Sequence, residues 1–245
     1  MTTAVMGTLM FAVAMLYAVV GHAGASGYLA VMGLFGTDAT IMKPIALTLN
    51  ILVATVGTCK FHRAGHFSWK LFWPFAVTSI PFAFLGGTLT LPTNVYKVLV
   101  GLVLLYSAYR LFVTAKSAEE RTIVPPPLWA ALLLGAVIGL LSGLTGVGGG
   151  IFLSPLILLM GWAGMKQTSA VAVTFILVNS IAGLLGHWSS AASLPPQILY
   201  WGAAVLVGGW IGAEVGSKRL ANVPIRKVLA VVLALAGLKM TLAVI

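Results

Sequence analysis

The sequence predicts an all-α polytopic membrane protein built as two inverted repeats of about five helical segments each. Three observations lead there. Of 245 residues, 60% are hydrophobic and 7% charged, with mean hydropathy +1.07. A soluble domain carries about 25% charged residues. The apolar residues fall into ten runs in a repeating order of lengths. The basic residues favour different loops in the two halves. Composition excludes most soluble functions, and the 14 Lys and Arg against 4 acids are too dispersed to track a nucleic-acid backbone. They are read as topology signals, with lipid rather than nucleic acid as the surrounding partner.

A spanning helix needs roughly 20 mostly apolar residues. Runs that approach this lie at 4–22, 41–59, 71–89 and 96–114 in the first half, with a shorter one at 27–36. The second half repeats the order at 128–145, 149–161, 167–187, 197–216 and 225–244, its second run again short. The expectation is eight long spans and two short broken segments. Between the halves, residues 116–127 contain Glu119, Glu120 and the run Pro125-Pro126-Pro127, which no helix interior accepts. The domains are therefore a first repeat at 1–115, a cytoplasmic linker at 116–127 and a second repeat at 128–245. Before the first run there is no Lys or Arg, so it lacks the basic region of a cleaved signal peptide and is expected to remain.

Self-comparison supports the duplication. Lys97-Val98-Leu99 resembles Lys227-Val228-Leu229, Ile51-Leu52-Val53 matches Ile176-Leu177-Val178, and Gly24-Ala25-Ser26-Gly27 matches Gly146-Val147-Gly148-Gly149, in collinear order. Lys- and Arg-rich loops tend to stay cytoplasmic. Residues 60–70 carry Lys60, Arg63 and Lys70, and 217–227 carry Lys218, Arg219, Arg226 and Lys227, while their repeat counterparts are nearly bare. With Arg110, Lys116 and Arg121 also inside, ten of the fourteen basic residues share one face, and Lys166 makes eleven. The halves then have opposite orientation, as in many secondary transporters, and both termini lie outside. Re-entrant short segments would instead give parallel halves and leave about half the positive charge outside.

The most specific chemistry lies at Ser142-Gly143-Leu144-Thr145-Gly146-Val147-Gly148-Gly149-Gly150, a glycine-rich break between two apolar runs. Its first-half relative is Gly21-His22-Ala23-Gly24-Ala25-Ser26-Gly27. Irregular backbone at membrane depth survives only against protein or a watery cavity. Helices restarting near Gly27 and Gly149 would aim positive dipole ends and free N–H groups between them, which suits a small anion. Paired breaks in a duplicated chain are the usual pointer to a transporter site; close helix packing is the simpler role of any one glycine. The candidate binding set is Ser26, Gly27, Asn50, Thr145, Gly148, Gly149, Gly150 and Asn179. Asn50 and Asn179 sit in the third runs beside Thr48, Thr174 and Ser180, equally suited to holding anion oxygens and to tying helices together.

The break followed by Ser154-Pro155-Leu156, the apolar duplication and the small size resemble the sulfite exporter TauE/SafE family of bacterial inner-membrane proteins, across essentially the whole chain. The resemblance implies export of a small sulfur-containing anion such as sulfite or sulfoacetate. His22 and Ser26 stand where that pattern favours glycine.

Glu214 is the one acid inside an expected span, where a charge must be paired, protonated or wet. It is a candidate for proton coupling, as is His22, although Lys218 lies at i+4 and offers an ion pair. His187 lies at a helix end, and Lys43 and Lys166 precede the third runs, placed to draw an anion to a cavity mouth or to snorkel. Trp69, Trp73, Trp129, Trp162, Trp188 and Trp201 read as boundary anchors. Cys59 is the single cysteine, and no metal-ligand spacing or nucleotide-binding loop occurs, so no cofactor is expected. The expected function is a non-enzymatic secondary transporter for a small anion; a channel, or a membrane-embedded enzyme or assembly subunit, remains as an alternative, as does a homodimer.

Overall fold

A computed structural model describes residues 2–113, 123–188 and 194–218, with seven helical positions between 231 and 242. Among the described residues, nine continuous helices follow in order: α1 (Thr2–Val19), α2 (Ala25–Leu34), α3 (Ala39–Arg63), α4 (Trp69–Thr88), α5 (Thr93–Val113), α6 (Leu128–Thr145), α7 (Gly150–Leu159), α8 (Met165–Gly186) and α9 (Ile198–Lys218). They lie where the apolar runs placed them. Among the described residues, five are long and apolar enough to cross a membrane: α3, α4, α6, α8 and α9. The linker residues 116–122, Arg219, Arg226 and Lys227, and the repeat match at 227–229 lie outside the described residues.

Polar residues mark the ends. Asp38 caps α3, its carboxylate accepting from the Thr40 N–H at 2.9 Å and the Thr40 hydroxyl at 2.8 Å. Ser68 caps α4 through the Leu71 N–H at 3.4 Å. These bonds satisfy first-turn donors that have no intrahelical acceptor. Large apolar side chains such as Val77, Leu133, Val137, Val207 and Leu199 stand exposed along α4, α6 and α9. That face has no polar complement and suits hydrocarbon. Trp69, Trp129 and Trp188 are exposed at helix ends, as anchors should be, whereas Trp201 is buried and donates its indole N–H to Thr3 O at 3.2 Å.

Two helix pairs dominate the packing, α4 with α6 and α1 with α9. Each joins the first helix of one half to the fourth of the other. In both, glycines four residues apart admit a neighbouring backbone: Gly135, Gly139 and Gly143 face the carbonyls of Phe75, Ser79 and Ala83, and Gly208, Gly212 and Gly216 face those of Phe11, Met15 and Val19. Both numbers rise together, so each pair runs parallel. Small residues at helix contacts bring backbones close where lipid supplies no hydrophobic drive between helices.

Helices α3 and α8, the third of each half, run antiparallel: Leu47 meets Gly183, Asn50 meets Ser180 and Gly57 meets Val173. Helix α3 also packs along α9. Their C-terminal ends share one face, where Lys60 and Lys218 both pair with Glu214 and His66 Nε2 lies 3.3 Å from Ser217 O. In the last segment, Gly237 packs against the Gly101 carbonyl of α5.

Candidate functional site

Both breaks are built by positive-φ glycines, a conformation other residues adopt only with strain. After α1, Gly21 has φ 77° and Gly24, the N-cap of α2, has φ 104°. After α6, Gly146 has φ 82°, and Gly148 and Gly149 both have φ 80°, with Gly149 capping α7. The conformations thus equate Gly21 with Gly146 and Gly24 with Gly149, three residues from the match by residue identity. Helix α2 restarts at Ala25, so Ser26 and Gly27 lie in its first turn rather than ahead of it.

The structure brings the two breaks together through His22. Its Nε2 lies 3.3 Å from the Gly150 carbonyl and 3.2 Å from Ser154 Oγ. A carbonyl only accepts, so in the tautomer with its proton on Nε2 the ring donates to Gly150, and in the other it accepts from the Ser154 hydroxyl. Nearby, Ser169 of α8 donates to Val20 O at 3.0 Å. The second break is held from α3 as well: Asn50 Nδ2 donates to Val147 O and to Ser180 Oγ, each at 3.3 Å. A Cβ on Gly148 would lie 2.7 Å from Asn50 Nδ2 and 3.0 Å from Ser180 Oγ. Glycine here lets the amide reach the loop.

Around this clasp sit buried polar atoms that no protein group satisfies. Asn50, Ser142, Asn179 and Ser180 are fully buried. Among the described residues, Asn50 Oδ1, Ser142 Oγ and both ends of the Asn179 amide have no hydrogen-bond partner. Ser142 and Asn179 each lie one helical turn beyond Ile138 and Phe175, the two side chains that meet at Gly149. Leaving such a group unsatisfied costs about 1–3 kcal/mol. A cluster of them is the signature of a site for water or a polar ligand.

Other candidates are placed differently. Ser26 is buried with its hydroxyl 2.9 Å from that of Tyr17, and Gly27 packs against Val13 and Tyr17. Both face α1. Thr145 returns its hydroxyl to Leu141 O at 2.7 Å and accepts at its carbonyl from the Tyr96 hydroxyl at 3.2 Å. Gly149 lies against Ile138 and Phe175, and Gly150 against Ile176. Glu214 is paired with Lys60 and Lys218, and Lys60 also stacks 4.0 Å over the Trp210 ring. Sequence reasoning did not single out Ser142 and Ser154, although both lie in the glycine motif; no periodicity distinguishes a serine facing a ligand from one facing a helix.

A second feature lies beside the break. A cavity of about 200 Å³ is lined by Thr40, Lys43, Thr90, Thr93, Tyr96 and His187 among others. Lys43 is buried, donating to Gly87 O and Leu89 O, each at 3.1 Å. His187 Nδ1 lies 3.2 Å from the same Gly87 carbonyl.

A helical chain with an apolar outer face, and unsatisfied polar groups buried at a helix break, defines the class of multi-pass membrane transport proteins. The chain matches the profile of the sulfite exporter TauE/SafE family over residues 6–240, and it belongs to that family. It is 45% identical over 233 residues, 94% of each chain, to a probable membrane transporter protein, y4hK, of Sinorhizobium fredii. A probable membrane transporter protein of Methanocaldococcus jannaschii is 26% identical over 162 residues, 62% of this chain and 58% of that one. No solved structure matches.

Proposed function

We propose that the chain is a secondary transporter that exports a small sulfur-containing anion, sulfite or an organosulfonate such as sulfoacetate, across the inner membrane by alternating access. The observation that carries the reading is the pair of unpartnered buried donors near the second break, the Asn179 NH₂ and the Ser142 hydroxyl. The Asn179 NH₂ and the Ser142 hydroxyl are donors matched to anion oxygens. Gly148, Gly149 and Gly150 keep the loop bare, and His22 ties it to the first break. Neutral donors hold an anion while leaving it able to depart, which transport requires. A membrane potential negative inside favours anion exit by about 2.3 kcal/mol per charge per 100 mV. Export then needs no proton, and Glu214, held by two lysines, serves as a latch.

The inverted arrangement is supported by the antiparallel course of α3 and α8, because halves related by an axis along the membrane normal would set these counterparts parallel. The gathering of Lys60, His66 and Lys218 on one face supports placing that face in the cytoplasm. Helix α1 runs parallel to α9 and α9 to α3, so the N-terminus is then outside.

The test is efflux of sulfite from preloaded proteoliposomes at clamped potential, with sulfoacetate, sulfate and lactate as competitors. Saturable, competitor-sensitive efflux is expected, and it should fall sharply in Gly149→Leu. Folded Gly149→Leu protein moving sulfite like the parent would remove the break from the pathway, and large single-channel currents would replace the carrier with a pore.

A further inference from the structure

The cavity beside Lys43 lies outside the central site, and it decides between the two readings that sequence leaves for this lysine, a snorkelling helix end and a cation at a cavity mouth. Lys43 is 5% exposed, yet among the described residues no carboxylate pairs with it. Its ammonium has three protons; Gly87 O and Leu89 O take two, and the third is left for the cavity that Lys43 lines. A buried ammonium with carbonyl partners alone carries an unneutralised charge, which an anion in the cavity would balance.

The surroundings leave that charge unpaired. Ala39 and Thr40 from the first turn of α3 and Thr93 from the start of α5 line the cavity; the α5 terminus adds its positive end, while that of α3 is offset by its Asp38 cap. His187 donates to the Gly87 carbonyl in the tautomer with its proton on Nδ1, and an imidazole adds no negative charge to the cavity. Among the described residues the nearby acid is Asp38, an ionised cap that is turned onto the Thr40 N–H and hydroxyl and makes no ion pair with Lys43. The cavity also adjoins the break. A Cβ on Gly146 would lie 3.1 Å from Lys43 Cγ, and Tyr96, on the cavity wall, donates to the carbonyl of Thr145.

We propose that this cavity is a second anion-binding subsite, taking a small oxyanion on Lys43 at the mouth of the second break. Its role as an anteroom rests on the transport reading above, but its occupancy does not. A charged donor there binds more tightly than the neutral amides at the break, so an anion would wait at Lys43 before or after passing them.

The experiment is equilibrium titration of the detergent-purified chain with sulfite and with sulfate in a chloride-free buffer. The parent should show two classes of site. Lys43→Gln should weaken one by roughly tenfold or more, the value of one charge-assisted hydrogen bond, Lys43→Arg should restore much of it, and Asn179→Leu should remove the other class and leave this one. Lys43→Gln titrating like the parent, while folded by its melting profile, would overturn the subsite; Asn179→Leu titrating like the parent would instead count against the central site. Should Lys43→Gln not fold, bromide-soaked crystals of the parent decide by anomalous scattering. Density within hydrogen-bonding reach of Lys43 Nζ is expected, and bromide bound elsewhere with none there refutes the proposal.

Discussion

Replacing Asn179 by leucine should make the protein more stable and less active. Asn179 is fully buried in α8, and among the described residues neither end of its amide meets a hydrogen-bonding group. An unsatisfied buried polar group costs about 1–3 kcal/mol relative to a paired one, and leucine of similar size removes that cost while adding apolar contact. The expected gain is about 1–3 kcal/mol, a rise of a few degrees in melting temperature on the scale of about 2–4 °C per kcal/mol for a chain of this length. Asn50→Leu supplies the control, because it is the same substitution at an equally buried position where the amide NH₂ is paired. Asn50 Nδ2 bonds Val147 O and Ser180 Oγ, so its loss leaves the loop carbonyl unpaired and should destabilise by about 1–3 kcal/mol. Thermal unfolding in detergent and sulfite efflux from proteoliposomes, run on both variants, read the two effects separately. Asn179→Leu melting below the parent, or transporting as well as it, would refute the reasoning that this amide is kept for a ligand.

The remaining predictions follow from the packing and the helix ends. Gly139→Ala should destabilise by about 1–3 kcal/mol, the usual cost of overpacking, because its Cβ would lie 2.6 Å from Ser79 Cα; Gly183→Ala, whose Cβ would find its nearest neighbour at 3.5 Å, should be neutral or slightly stabilising by the same melting assay. Glu214→Gln should lower the melting temperature by releasing Lys60 and Lys218, yet leave the response of efflux to an imposed pH gradient unchanged; loss of that response would make Glu214 a proton carrier. The Thr40 N–H and hydroxyl hold the Asp38 carboxyl below its ordinary range. Its contribution to stability is therefore complete above the unfolded carboxylate pKa of roughly 4 and is lost as pH falls through the lower folded value. The melting temperature of the parent should drop across that acid window more than that of Asp38→Asn, and equal drops would show that the cap does not report on folding.

Much of the architecture is legible in the residues alone. Run length and composition place α1 to α9 to within a few residues, because a helix in lipid must satisfy its own backbone and its length is set by the bilayer. The two breaks are legible for a related reason: runs of glycine inside apolar sequence have few other uses, and Gly146 to Gly150 do break the helix. The loops at 60–70 and 217–227, paired by charge, do meet through His66 and Ser217.

The tertiary structure decided what local sequence cannot encode. Residue identity aligned Gly24 with Gly146, but the dihedrals align it with Gly149, since backbone conformation and not side-chain likeness defines a turn. Ser26 and Asn50 look equally polar in apolar sequence. Packing turns Ser26 toward Tyr17 and leaves Asn50 and Asn179 around the second break, a distinction made by rotation about a helix axis that residue type does not report. Lys43 reads either as a snorkelling helix end or as a cation at a cavity mouth, and only the approach of Gly87, Leu89 and His187 from distant segments makes it a buried ammonium beside a cavity. Sequence by itself thus determined the class, the helices and the breaks, because hydrophobicity and glycine act locally. Which polar groups are left without partners is a property of helices meeting across 130 residues, as Asn50 meets Ser180, and the tertiary structure alone decided it.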